Sequence, residues 1–478
     1  MSPFHLQCFP IIDTATTKMQ LLDLPDELLE ICCSRIDELT EPIDEDAYPT
    51  AEQINLETLR NLRLTCKRIS PLVSKHLFSR LVLRPEKSNA LKARAILDDA
   101  RLNPLVHTIY LQASLKNDRT RRRRSECAVP TWNVQDENDL ERETDTDDGN
   151  LSAEVDGELP ATFKRMMGDI GLFRNLRRIE LVYHYTVEGF SSINWFDATE
   201  TFEYRDIFFR KLLRAVNHAE HPANKLNSLS IHNSQDCVNP DTLTSTDFIA
   251  LLSRLDELEL LVLSEERHDE YEIRIRERHD FYSGQLRTYW LQPLSEIGRL
   301  TSLKLYGSIP WGYLPKCDLR GLHFPKLKSL DLGNMTFTHE WQLEWILSHG
   351  SSLERLSLKS CPIIPDFELT WSVDADGYPM LPNPYPGTGR VRRIGARFKY
   401  DSRWHDYFHS FRTKLPRLRH FAVTHDEWYQ GNEGPCKALK VLKSTETRPA
   451  EIRSSRYHMM TGYGTRTVNR KKQLLISL

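Results

Sequence analysis

His405 and His409 lie four residues apart in a stretch, Trp404 to Leu415, whose apolar residues recur with helical spacing. That spacing puts both imidazoles on one helix face, an arrangement zinc can use. No third ligand lies nearby, and Trp404, Phe408, Phe411 and Leu415 account for the helix as a core stripe, so a packed or solvated role is expected. Asp374-Ala375-Asp376-Gly377 matches the middle of a calcium loop. Its first and twelfth positions would be Ser372 and Asn383, so both end ligands fail, and prolines at 379, 382, 384 and 386 oppose a following helix. A surface loop is expected. The nine cysteines form no Cys-x-x-Cys pair and are odd in number, which fits reduced thiols rather than a zinc site or a disulfide framework. No metal and no cofactor are expected.

Motifs for independent catalysis are missing too. The chain has no Gly-x-x-x-x-Gly-Lys-Ser/Thr, no Gly-x-Gly-x-x-Gly, no His-Glu-x-x-His and no Gly-x-Ser-x-Gly. The expectation is a protein that is not an enzyme in its own right. Arg119 to Arg124 holds five arginines, which could serve nuclear import or contact nucleic acid. However, Asp136 to Asp148 carries eight acidic residues against one arginine, so the two blocks read as a solvated linker that pairs with itself. A net charge of −3 also lacks the basic surplus that drives nucleic-acid binding. No apolar run approaches a membrane span, and Met1 to Gln20 lacks the pattern of a signal peptide. Neither nucleic acid nor membrane is an expected partner, and the expected location is cytoplasmic, nuclear or both.

The elements that must position any interaction surface differ between the two ends. At 478 residues, 40% hydrophobic, the chain is long enough for two or three units with a sizeable core. Asp23 can cap a helix that has Pro25 near its start, Asp26 and Glu27 in its first turn, and a stripe of Leu24, Leu28 and Ile31. A second helical region runs from about Leu56 to Phe78, divided at Pro71, with Leu39 to Ile54 as an acidic loop before it. Val106 to Leu111 alternates as a strand does.

Beyond that, one apolar triplet recurs: Leu176/Ile179/Leu181, Leu226/Leu229/Ile231, Leu258/Leu261/Leu263, Leu300/Leu303/Leu305, Leu327/Leu330/Leu332, Leu353/Leu356/Leu358 and Leu418/Phe421/Val423. The last two positions of each would share one strand face, and helical stretches lie between several triplets. Such grammar is that of leucine-rich repeats, although the spacing is uneven and the Asn or Cys expected after the triplet occurs once, as Cys361.

Leu24-Pro25-Asp26-Glu27-Leu28-Leu29, followed by Leu59 to Phe78 with Leu64-Thr65-Cys66-Lys67-Arg68, resembles an F-box, and Leu77 to Leu83 resembles the exit into a first strand seen in fungal members of that family. The resemblance covers about a sixth of the chain directly. Together with the charge blocks and the triplets, it gives the expectation of an α/β protein with an N-terminal helical F-box at 20–84, a transition with the first strand at 85–115, a charged, disordered linker at 116–160, and an irregular leucine-rich-repeat-like solenoid at 161–478 that binds a target. It further implies docking on a Skp adaptor, and through it on a cullin, with Leu24, Pro25, Leu28, Leu29, Leu59, Leu62, Leu64 and Cys66 as adaptor-binding residues. The implied function is a non-catalytic substrate receptor of a ubiquitin ligase; the alternative is an interaction scaffold without a role in ubiquitylation. The acidic insertion Leu39 to Ile54 departs from the family, whose members join these helices by a few residues. Arg390, Arg392, Arg393 and Arg397 form a basic stretch suited to a phosphorylated target, whose identity the sequence does not encode.

Overall fold

A computed structural model describes residues 24–38, 51–113, 159–183, 202–264, 279–369, 373–380 and 396–424. The contacts divide the chain into two units, Met1–Ser79 and Arg80–Leu478.

Three helices make the first unit: α1 (Asp26–Glu38), α2 (Ala51–Thr65) and α3 (Ile69–Leu77). Pro25 carries the turn into α1, its carbonyl accepting the Leu28 and Leu29 amides at 3.1 and 3.0 Å. Asp26 and Glu27 follow in the first turn, where their charge complements the exposed N–H groups. α2 starts earlier than the sequence suggests, taking in Ala51 to Ile54 from the expected acidic loop. The helical region breaks at Cys66–Arg68 and not at Pro71, which sits in the first turn of α3, where a missing N–H costs no intrahelical bond. Arg68 ties that break to the start of α1 by donating to Leu24 O at 2.7 Å and Asp26 Oδ1 at 2.9 Å. Leu29, Cys33, Leu59, Ile69, Leu72 and Val73 form the core, with Leu24, Leu62, Cys66 and Leu77 packed against it.

The second unit is built on nine parallel strands: β1 (Arg80–Leu83), β2 (Thr108–Gln112), β3 (Arg178–Val182), β4 (Ser228–Gln235), β5 (Glu257–Leu263), β6 (Ser302–Trp311), β7 (Ser329–Met335), β8 (Arg355–Lys359) and β11 (His420–Thr424), adjacent in that order. A separate antiparallel pair joins β9 (Asp366–Leu369) to β10 (Ala396–Lys399). The helical connections include α4 (Lys87–Asp98), α5 (Ala161–Gly168), α6 (Phe202–Val216), α7 (Pro240–Leu243), α8 (Thr246–Leu252), α9 (Gln292–Ile297), α10 (Glu340–Leu347) and α11 (Trp404–Lys414).

The expected architecture is therefore corrected. In place of an F-box followed by an irregular leucine-rich-repeat-like solenoid stands a nine-stranded all-parallel sheet interleaved with helices, and the α/β class fits only loosely. The apolar triplet reports which way a strand's side chains point; it carries no information about what connects one strand to the next. Those connections range from the short step between β6 and β7 to the long one between β2 and β3, so no unit length recurs. β1, expected with the helices, is the first strand of the sheet.

Registry explains the triplets. Ile109, Ile179, Leu229, Leu258, Leu303, Leu330, Leu356 and Phe421 lie side by side across β2 to β11, and Leu111, Leu181, Ile231, Leu260, Leu305, Leu332, Leu358 and Val423 make the second row. One triplet is misplaced in the sequence reading: Leu258 aligns with the middle positions of its neighbours, so the set on β5 is Leu255/Leu258/Leu260. The continuous run Leu258 to Leu263 hides this, because every second residue fits either frame. Apart from Val423, which is exposed on the edge strand, these rows join the apolar sides of the helices in one core. Just before the strands, the carbonyls of His107, Arg177, Asn227, Asp256, Thr301, Lys328 and Glu354 each accept two amides from the next strand's entry, making a continuous hydrogen-bonded rim.

Candidate functional site

Residues between the inward rows point to the other side of the sheet, and there the composition changes. One row reads Tyr110, Glu180, Ser230, Glu259, Lys304, Asp331 and Ser357; the row below reads Thr108, Arg178, Ser228, Glu257, Ser302, Ser329, Arg355 and His420. Parallel sheets are usually apolar on both faces, so a charged face calls for partners.

Arg178 supplies them at the centre. Its Nε donates to Glu180 Oε1 at 2.9 Å, its Nη2 to Glu259 Oε2 at 2.9 Å and its Nη1 to Ser228 Oγ at 3.0 Å. Lys304 approaches Glu259 Oε2 at 3.7 Å, and Arg80 reaches Glu180 at 2.7 Å. Burial works against ionising Glu259, which is only 5% exposed, but the Lys304 and Arg178 charges outweigh it and hold the carboxyl below its ordinary value. His232 goes the other way: burial favours its neutral ring, with the hydroxyl of Ser230 2.8 Å from Nε2. Burial raises Asp331 against the pull of Lys304, Arg355 and the Ser357 hydroxyl.

Toward β8 and β11 the pairing stops. Lys328, Arg355, Arg419 and His420 are exposed, and among the described residues none has a carboxylate within ion-pairing distance. They line a groove along the rim that continues past Thr301 and Ser302 to Glu257 and Arg178. Sequence reasoning missed this groove because its cations are far apart in the chain and meet only through strand register.

On the first unit, the eight expected adaptor-binding residues separate by environment. Leu29 and Leu59 are buried in the core at 2% and 1% exposure. Leu24, Leu62 and Cys66 are half-buried against it, whereas Pro25, Leu28 and Leu64 are exposed, Leu28 at 46% and Leu64 at 82%. Ile31, which sequence reasoning placed in the helix stripe without a binding role, is 54% exposed three residues after Leu28 and so on the same face of α1.

The other candidates resolve into packing. Asp374 accepts from Lys316 Nζ at 2.7 Å and from the amides of Asp376 and Tyr378, while Asp376 pairs with Arg320 at 2.9 Å. The carboxylates of the calcium-like loop thus hold neighbouring cations and amides. His405 and His409 are exposed on α11, whose buried stripe is Tyr407, Phe411 and the following Leu415; Tyr407 was absent from the expected stripe. Among the described residues, no group of three His, Cys, Asp or Glu side chains could hold a metal, and no helix is long and apolar enough to cross a membrane. Cys33, Cys317 and Cys361 are buried thiols, and burial pushes the last two up to about 12. The arginine block 119–124, the acidic block 136–148 and Arg390, Arg392 and Arg393 lie outside the described residues; Arg397 falls in β10.

No protein-family model matches the chain, and no curated protein matches it in sequence.

Proposed function

We propose that this chain is a non-catalytic substrate receptor of a ubiquitin ligase, in which the three-helix unit docks on a Skp adaptor, itself bound to a cullin, and the polar sheet face holds a target protein. The observation that supports the reading is the set of large apolar side chains the first unit leaves in solvent. Its core closes around Leu29, Leu59 and Val73, and Leu28, Ile31 and Leu64 remain outside. Exposed leucine and isoleucine side chains on so small a helical unit mark a surface for a partner. The F-box-like sequence around them names the partner's class.

A receptor of this kind performs no bond chemistry. It raises the effective concentration of a target lysine near the ubiquitin-charged enzyme, and proximity supplies the rate. The test is binding of purified Skp adaptor to the full chain. Micromolar or tighter binding that Leu28→Ala with Leu64→Ala abolishes in a folded protein supports the reading; a well-folded wild-type chain that ignores the adaptor overturns it, leaving the helices as part of an interaction scaffold.

A further inference from the structure

We propose that the rim groove near β8 and β11 binds an acidic, carboxylate-rich peptide segment of the target. That the segment belongs to a ubiquitylation target rests on the receptor reading; the groove's chemistry stands on its own geometry.

The cations of the groove differ in what each already has. Arg178 is satisfied by Glu180 and Glu259, and Lys304 lies 3.7 Å from Glu259. Lys328, Arg355 and Arg419 have no such partner among the described residues, although all three border one groove. Arg355 and His420 are direct register partners on β8 and β11, and Lys328 and Arg419 flank Glu354 along the hydrogen-bonded rim. Strand neighbours stand about 4.8 Å apart, so these side chains spread over roughly 10 Å, the reach of a few residues of extended peptide. Like charges so placed repel one another, which an anionic occupant relieves. The hydroxyls of Ser329, Ser302 and Thr301 add neutral hydrogen-bonding groups along the same groove.

The far end of the groove decides between anionic occupants. Glu257 and Glu259 line it together with the cations, joined to Arg178 at 3.5 and 2.9 Å, and Glu257 is exposed; Glu354, half-buried between Lys328 and Arg419, brings one further carboxylate to the cationic end. A nucleic-acid strand carries a phosphate at every nucleotide and would meet those carboxylates with repulsion. A peptide can concentrate its acids over Lys328, Arg355 and Arg419 and place neutral or basic residues over Glu257. Charge complementarity therefore favours a protein segment.

The test uses the full-length chain and a fluorescent Asp/Glu-rich peptide, with anisotropy read at low and high salt. Arg355→Glu with Arg419→Glu should weaken binding by about tenfold or more, and Lys92→Glu, an exposed cation on α4, should leave it within about twofold. Both reversals fall on exposed side chains, and tryptophan fluorescence checks that the sheet unit remains folded. The proposal is overturned if the wild-type chain does not bind the peptide, if the two reversals have no effect, if a single-stranded oligonucleotide of equal charge binds more tightly, or if only a phosphorylated peptide binds. Adaptor binding measured on the same preparation separates the two readings. Adaptor binding without peptide binding sinks the groove alone. Peptide binding without adaptor binding sinks the receptor and leaves the groove.

Discussion

Arg178 on β3 and Glu259 on β5 are joined at 2.9 Å across the strand between them, and the Glu259 side chain is 6% exposed. Removing the arginine leaves a buried carboxylate with Lys304 at 3.7 Å as its nearest ammonium. Breaking a fully buried pair costs about 3–5 kcal/mol, but the Arg178 side chain is 29% exposed, so Arg178→Ala should destabilise the second unit by about 1–3 kcal/mol. Tryptophan fluorescence during chemical denaturation isolates the effect, because every tryptophan lies beyond Ser79. A midpoint unchanged by the substitution would show that solvent compensates the lost guanidinium.

His349 gives the second unit an acid-side weakness. Its Nδ1 lies 2.9 Å from the Trp345 carbonyl and its Nε2 accepts the Phe324 amide at 3.2 Å, so the ring is neutral with its proton on Nδ1. A second proton on Nε2 would face an N–H donor. Burial, with His323 adding to it, pushes the group down to about 4. The unfolded chain binds a proton near pH 6.5 and the folded one only near 4, so the contribution is intact above 6.5 and lost as pH falls between those values, by about 3 kcal/mol in all. Denaturation midpoints from pH 7 to pH 4 should fall, and His349→Gln should flatten that slope whatever it does to stability at neutral pH.

Gly333 is a steric position. It pairs with Tyr306 on the neighbouring strand, and a Cβ there would sit 2.0 Å from the Tyr306 ring. Gly333→Ala should cost about 1–3 kcal/mol by overpacking, measured by the same fluorescence. Tyr306→Leu beside it should recover part of the loss. Simple additivity would mean that the ring moves aside freely.

Leu28 and Leu29 are adjacent in the chain but differ in what they do. Leu29→Ala removes a buried side chain and should destabilise the helical unit by about 2–5 kcal/mol, read by amide hydrogen exchange of α1 to α3. Leu28→Ala should change stability by less than about 0.5 kcal/mol and weaken adaptor binding by about 1–4 kcal/mol. Equal loss of folding in both variants would place Leu28 in the core and end its role as an anchor.

The helical unit was largely legible because α1 to α3 are local: the acidic first turn of α1, a proline and apolar stripes lie within a few residues of one another. Strand positions were legible for a related reason, since the triplet's period is that of the pleat. What the sequence could not supply was the relation between strands. Asn233 and Asn334, with φ of 59° each, donate to Tyr183 O just past the end of β3 and to Gly307 O on β6. Both come two residues after the last apolar position, one short of where the expected polar residue was sought. The groove cations were equally invisible, because Lys328, Arg355 and Arg419 become neighbours only when three strands register. Exposure was the remaining gap: Leu28 and Leu29 share a residue type, and only the packing of α2 and α3 separates them.

The continuous rim before the strands has one further consequence. Every residue in it from His107 to Glu354 is tied to the next strand's entry, whereas the long connections after β2, β3 and β5 depart from the opposite ends of the strands. Chain can thus be lengthened on one side of the sheet without disturbing the register on the other. A fluorophore or affinity tag grafted after Ala113 or Ser264 would report from the side away from the groove, and such grafts offer the gentlest way to handle the protein while its binding is measured.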